Sequence, residues 1–126
     1  MVSTYEYTTA AALASIHSKT YASIDAAYTA TVVEANITQA ERWVNEYCGR
    51  ENTGFSAPIP DGVVFATLEM AKYLMEKLML EDGHLEELTR TLSDVLRICK
   101  EPLSKHKPEI SYSASRTDFD LRILEG

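Results

Sequence analysis

The sequence predicts an all-α protein, a small antiparallel bundle of three to four helices that is followed by an extended C-terminal tail. Apolar residues recur at steps of three and four in three stretches, 33–48, 63–80 and 85–99. At 3.6 residues per turn such steps place side chains on one face of a helix. After Leu103 the period changes to the alternation typical of a strand. We therefore divide the chain into a helical domain, residues 1–103, and a tail, residues 104–126.

Composition and charge restrict the possible functions. The 126 residues fit one domain, and 45% hydrophobic and 25% charged residues are ordinary for a soluble globular protein. The formal charge of −7 argues against binding of nucleic acid through phosphates, since that binding depends on clustered Lys and Arg. No apolar run approaches the roughly 18 to 20 residues of a membrane span, and the first residues lack the pattern of a secretion signal. We expect no membrane partner.

The first two helices are predicted from their caps and stops. A short helix over residues 10–16 follows two threonines that can cap it. A long helix is expected to begin at Ser23 or Asp25, whose side chains can accept hydrogen bonds from free helical amides. Gly49, a common helix terminator, ends this helix just after Cys48.

The central helix is predicted over residues 61–80. Pro60 suits its first turn, where a missing amide costs nothing. The apolar residues of this helix extend beyond one stripe, so neighbours are expected on more than one side. In an isolated subunit part of that surface would face water.

A third strong helix is predicted from Leu85 to Cys99, ended by Pro102. Its acidic first turn and basic last turn suit the helix dipole. Its predicted inward face comprises Leu85, Leu88, Leu92, Val95, Leu96 and Cys99. Cys48 and Cys99 both fall on apolar faces, so we interpret them as buried thiols rather than a disulfide.

The tail contains two runs in which apolar and polar residues alternate, joined by residues 115–118, which can form the turn of a β-hairpin. An isolated two-stranded ribbon is marginal in water, so the tail either packs on the bundle or is completed by a partner. Strand addition to a partner's sheet is the favoured interpretation, and a terminus without fixed structure is the simplest alternative. The predicted partner-binding anchors are Ile110, Tyr112, Phe119, Leu121 and Ile123.

The residues predict no catalytic, cofactor-binding or metal site. The five glycines are scattered at element ends, and the three histidines lie in three different segments. Glu69 and Glu76 share the central helix, and Asp82 forms an acidic corner with Glu86 and Glu87. Paired carboxylates can act as acid and base or bind a cation, but a solvated helix face is the commoner explanation.

Residues 24–81 resemble the small head-tail connector, or adaptor, proteins of tailed phages. In such proteins a first helix ends in a Tyr and a small residue before a Gly-Arg or similar pair, and a proline-bearing link enters a helix rich in Leu, Ala and Tyr. The matching residues here are Tyr47, Cys48, Gly49, Arg50, Pro58, Pro60, Leu68, Ala71 and Tyr73. The region after Met79 departs from the pattern, because the predicted third helix replaces a hairpin-like stretch.

The resemblance implies a structural virion protein of the neck, assembled in the host cytoplasm, without a reaction or a cofactor. It implies a ring of copies, twelvefold as in the family, beneath the portal protein. The ring would extend the channel through which DNA passes and would meet a stopper or tail protein. Trp43, Phe65 and Tyr73 are the candidate subunit contacts.

Two other functions remain open. A small helical interaction or regulatory module could use the tail to bind a single protein partner. A small helical enzyme could use the acidic corner near Asp82, which would require a carboxylate with a raised pKa in a pocket.

Overall fold

A computed structural model describes residues 5–16, 20–51 and 53–106 of the chain. Within them lie four α-helices and two short 3₁₀ turns, and the expected all-α bundle is confirmed. The helices are α1 (Ala10–Ile16), α2 (Ala30–Tyr47), α3 (Asp61–Glu81) and α4 (Leu92–Leu103), and the 3₁₀ turns cover Tyr21–Ser23 and Ser104–His106. The predicted tail therefore starts with a 3₁₀ turn, and its alternating runs and hairpin lie outside the described residues.

The starts of α1 and α3 agree with the sequence, but the start of α2 does not. Thr9 caps α1 by accepting a hydrogen bond from the amide of Ala12. α2 begins at Ala30 because Thr29 is its cap and accepts from the amide of Val32. Asp25, one of the predicted caps, instead accepts from the amide of Ala27 at 2.8 Å and closes a local turn.

α4 also begins later than predicted, at Leu92 rather than Leu85. A capping box fixes this start: Thr91 accepts from the amide of Asp94 at 3.1 Å, and Asp94 accepts from the amide of Thr91 at 3.3 Å. Residues 82–91 form turns and bends, from which Leu85 and Leu88 still pack against the core. The leucine spacing was therefore produced by a turn segment followed by a helix.

The predicted inward face of α4 is wrong at one position. Leu92 is 47% exposed, whereas the buried residues of α4 are Val95, Cys99 and Leu103. Pro102 lies inside the helix, one residue before its end. Cys48 and Cys99 are buried thiols rather than a disulfide, as predicted.

α3 is the central element, with α2 and α4 both packed against it. Its buried side chains accordingly surround much of the helix: Val63, Ala66, Thr67, Met70, Ala71, Tyr73, Met75 and Met79. Near the start of α3, Gly62 lies so close to α4 that an added Cβ would be 2.9 Å from the carbonyl oxygen of Pro102. Neighbours on more than one side were expected, and the subunit itself supplies them.

Candidate functional site: docking surfaces on the bundle

A buried polar network fixes the N-terminal segment to α2. Glu41 is fully buried, and its two carboxylate oxygens accept hydrogen bonds from the backbone amides of Tyr5 at 3.0 Å and Tyr7 at 2.9 Å. Buried carboxylates need such partners, because an unpaired buried charge is costly. Glu41 does not stand out among the charged residues of the sequence, although its position four residues after Ile37 and three before Val44 places it on the apolar face of α2.

The Tyr7 hydroxyl extends this network to the loop before α3. It donates to the Asn45 side-chain oxygen at 2.6 Å and accepts from the backbone amide of Phe55 at 2.7 Å. Gly54 packs beside it with a φ of 65°, and an added Cβ would lie 2.8 Å from the Tyr7 oxygen. The network thus joins three segments of the chain and has a structural role.

Two contacts join the region of the acidic corner, near the end of α3, to the segment before α2. The Tyr28 hydroxyl donates to Asp82 at 2.8 Å, and His84 pairs with Asp25 at 2.9 Å. Burial, and then the hydrogen bond to Asp82, raise the pKa of Tyr28 to about 12. The amide of Ala27 and then His84 lower the pKa of Asp25. These acidic side chains hold the start of α2 against the end of α3.

One member of the other carboxylate pair, Glu69, also has a structural contact. Glu69 forms an ion pair with Arg90 at 2.6 Å, in which both side chains are 18% exposed. The pair fastens the segment before α4 to α3. Across the described ranges, no group of three His, Cys, Asp or Glu side chains is arranged to hold a metal ion.

An apolar groove opens on the surface where α2 and α4 flank α3. We call it the Trp43 groove. Its cavity volume is about 280 Å³, and its lining residues are Gln39 and Trp43 from α2, Met70 and Leu74 from α3, and Leu92 and Leu96 from α4. Five of these six residues are apolar, so the groove presents hydrophobic surface with a floor on α3 and walls on the two other helices. Such a shape can receive a helix or an extended segment.

A second, more open depression adjoins the Trp43 groove along α4, and we call it the α4 trough. Its lining residues are Tyr47, Ser93, Leu96, Arg97, Lys100, Glu101 and Ser104, so the two depressions share Leu96. Trp43 and Tyr47 stack with ring centroids 5.6 Å apart, and the Lys100 ammonium lies 5.6 Å from the Tyr47 ring. The stacked pair forms a common aromatic wall of groove and trough.

The structure separates the three predicted subunit-contact residues. Trp43 lines the groove, and Phe65 is 45% exposed on α3. Leu74, which lines the groove, follows Phe65 by nine residues. At about 100° per residue, the two side chains lie about 180° apart around α3, so Phe65 and the groove are on opposite sides of the helix. Only 8% of Tyr73 is exposed, because it lies on one of the covered sides of α3, so little of its surface is open to a neighbouring subunit.

The predicted tail anchors from Ile110 to Ile123 lie outside the described residues. Leu92 and Leu96, which complete the groove, were expected in the core rather than at a binding surface. No family model, curated protein or solved structure matches this chain. In the described part of the chain, no helix has both the length and the apolar character needed to cross a bilayer.

Proposed function

We propose that this chain is a structural head-tail connector of a tailed phage, which docks under the portal as a ring, extends the DNA channel and joins head to tail. The observation that carries the proposal is the placement of two exposed apolar features, the Trp43 groove and Phe65, on opposite sides of α3. A ring of identical subunits requires a heterologous contact, in which one patch meets a different patch on the next copy.

The two features are alike in being apolar. Phe65 projects from one side of the subunit with 45% of its surface exposed. The groove on the other side has a volume of about 280 Å³ and an apolar lining, which suits an aromatic side chain. Repeating the contact from copy to copy gives a ring when the rotation between neighbours closes.

The contact between copies would be small. Most apolar residues of α3 are covered by α2 and α4 within one subunit, so the ring does not have to cover them. Small interfaces give weak association in dilute solution, and binding to a portal would raise the local concentration of subunits. We therefore expect a monomer or weak oligomer until a portal templates the ring.

The remaining support comes from charge and from the tail. A net charge of −7 suits a channel through which DNA slides without adhering. The resemblance of residues 24–81 to phage connectors points to the same role. In the proposal, the tail anchors Ile110, Tyr112, Phe119, Leu121 and Ile123 add strand-like pairing to the portal, and the far side of the ring meets a stopper or tail protein.

Electron microscopy of the protein mixed with the portal of the same virus tests the proposal. The wild-type chain should form a closed ring on the portal. Phe65→Asp and Leu92→Asp should each prevent closure, because each places a charge on one half of the contact, while Glu86→Gln on an exposed turn should have no effect. Failure of the wild-type protein to attach to the portal would contradict the connector role.

Mixing the two defective variants gives a sharper test of the contact. The Phe65→Asp chain keeps an intact groove, and the Leu92→Asp chain keeps an intact Phe65. A heterologous contact predicts that the mixture forms pairs of one variant with the other but no ring. If neither variant changes ring formation, the contact lies elsewhere.

The single-partner interaction module is the second candidate. Groove and trough adjoin at Leu96 and give a partner helix a surface that is apolar in the groove and largely polar along the trough. This module would bind one partner at a fixed ratio and form no ring at any concentration. The described residues offer no observation that favours the enzyme alternative, since Asp82 holds Tyr28 in place.

A further inference from the structure

A polar pocket lies along the outer face of α2, and we call it the Arg42 pocket. Its cavity volume is about 480 Å³, within the range of about 300 to 1,000 Å³ that is usual for small-molecule sites. Its lining includes Arg42, Trp43, Asn45 and Glu46 of α2, together with Tyr5 before α1 and Glu51 after α2. Trp43 also lines the Trp43 groove, so the two depressions share a wall.

One polar group in this lining is buried without a hydrogen bond. Asn45 is 1% exposed, and its side-chain nitrogen has no partner among the described residues. Tyr7 fixes the orientation of the amide: its hydroxyl accepts from the Phe55 amide, so its own hydrogen is donated to the Asn45 oxygen. The nitrogen is therefore on the side of the amide away from Tyr7. Since Asn45 lines the pocket and Tyr7 does not, we place this unpaired donor towards the pocket.

We propose that the Arg42 pocket binds a carboxylate attached to an apolar or aromatic body. Arg42 and Asn45 are three residues apart on α2, so their side chains are neighbours, with Cβ atoms about 5 to 6 Å apart. One carboxylate oxygen accepts from the Arg42 guanidinium, and the other accepts from the Asn45 nitrogen. Arg42 is exposed, so its side chain can turn and admit the ligand to the buried nitrogen. The inference concerns a single subunit and does not depend on the connector role.

The rest of the lining selects the other part of the ligand. Trp43 and Tyr5 offer ring surface to an apolar body. Glu46 and Glu51 lie towards the C-terminal end of α2, where the helix dipole is also negative. They repel a second anionic group and can accept a hydrogen bond from an N–H of the ligand. The ligand is therefore a monocarboxylate, either a free small acid or the carboxyl end of a peptide, whose last amide can reach one of these two carboxylates.

Titration of the full-length protein with N-acetylphenylalanine tests the site. N-acetylphenylalaninamide is the matched probe, since it has the same body but no negative charge. Trp43 is the single tryptophan of the chain and lines the pocket, so its fluorescence reports binding. The acid should bind about tenfold more tightly than the amide, because hydrogen bonds to a charged acceptor are stronger than those to a neutral one. Equal binding of the two probes, or no binding of the acid, would overturn the proposal.

A third probe, hydrocinnamate, distinguishes the two sources of the carboxylate. It keeps the ring and the carboxylate but has no N–H to donate. Binding as tight as that of N-acetylphenylalanine would assign the site to free acids. Weaker binding would assign it to the carboxyl end of a peptide.

Four variants locate the ligand. Arg42→Gln should weaken binding of the acid about tenfold and remove its advantage over the amide. Lys77→Gln makes the same change of charge at an exposed position of α3 and should bind as the wild type does. Leu92→Asp changes the Trp43 groove and not the Arg42 pocket, so it should also leave binding unchanged. Asn45→Asp keeps an oxygen for Tyr7 but replaces the free donor by an acceptor, so it should abolish binding of the acid while the helical circular dichroism stays constant.

Two results would contradict the assignment of the ligand to the Arg42 pocket. Loss of binding in Leu92→Asp but not in Arg42→Gln would place the probe in the Trp43 groove. Unchanged binding in Arg42→Gln would exclude the guanidinium as a partner, and this variant is informative even if Asn45→Asp fails to fold, because Arg42 is exposed. No portal is used in these experiments, so their failure is distinguishable from failure of the connector role.

Discussion

Replacing Tyr7 with Phe should destabilise the fold through hydrogen bonds alone. The Tyr7 ring is only 3% exposed, and Phe keeps its shape, so the apolar contacts survive the change. What is lost is the hydroxyl, which donates to Asn45 at 2.6 Å and accepts from the Phe55 amide at 2.7 Å. The Asn45 oxygen is then buried without its hydrogen bond, and the partly buried Phe55 amide loses its acceptor.

The expected cost is about 2 to 4 kcal/mol. Leaving the buried Asn45 oxygen unsatisfied costs about 1 to 3 kcal/mol, and losing the partly buried hydrogen bond to the Phe55 amide costs about 1 kcal/mol. Asn45 is 1% exposed, and its side-chain nitrogen already has no partner among the described residues, so little rearrangement is available to it. A loss of this size is a large part of the roughly 5 to 15 kcal/mol by which domains are stable.

Chemical denaturation measures the effect. The midpoint should fall in Tyr7→Phe while the slope of the unfolding free energy against denaturant stays constant. Tyr5→Phe is the matched control, because the Tyr5 ring is a neighbour at 5.6 Å but its hydrogen bond to Glu41 uses the backbone amide. If Tyr7→Phe were within about 0.5 kcal/mol of the wild type, as for an ordinary surface substitution, the network would not have the role assigned to it.

Four further outcomes are expected. Leu103→Ala should cost about 2 to 5 kcal/mol of unfolding free energy, because Leu103 is fully buried. Leu92→Ala should cost less than about 1 kcal/mol, because Leu92 is 47% exposed. Equal losses on denaturant titration would show that exposure does not separate the two leucines. The pKa of Tyr28 is raised from 10.0 to about 12, so its contribution to stability is complete below pH 10 and is lost as the pH rises towards 12. A free energy of unfolding that stays constant between pH 10 and pH 12 would contradict this expectation. Phe119→Ser with Leu121→Ser should weaken attachment to the portal while the helical circular dichroism stays constant, and undiminished attachment would place the docking surface on the helices. Duplex DNA should bind weakly at physiological salt, and sub-micromolar binding with a steep salt dependence would point to a nucleic-acid function.

Local signals predicted the bounds of α3 well because both of its ends carry unambiguous residues. Pro60 has no amide to donate, and it lies immediately before the helix. Gly83 has a φ of 84°, a conformation that glycine adopts readily, and it follows the last turn. The sequence expectation of 61–80 therefore differs from Asp61–Glu81 by one residue.

The starts of α2 and α4 could not be chosen from the sequence, because several capping residues compete there. Ser23, Asp25 and Thr29 are all acceptable N-caps, and α2 begins after Thr29. Residue type alone does not distinguish among the three. Before α4, leucines recur at helix-like spacing from Leu85 onwards. This spacing predicted an earlier start than Thr91, where the capping box begins the helix. Turns can place leucines against a core at the spacing of a helix, so periodicity alone does not distinguish a turn segment from a helix.

The sequence by itself determined the number and character of the helices, the burial of both thiols and the excess of apolar residues on α3. Only the tertiary structure decided which of those apolar residues remain outside, since that depends on where α2 and α4 lie around α3. Tyr73 and Phe65 belong to the same helix, yet one is 8% and the other 45% exposed. The Trp43 groove exists for the same reason: its lining comes from three helices, and a sequence pattern describes the faces of each helix without fixing the gaps between them.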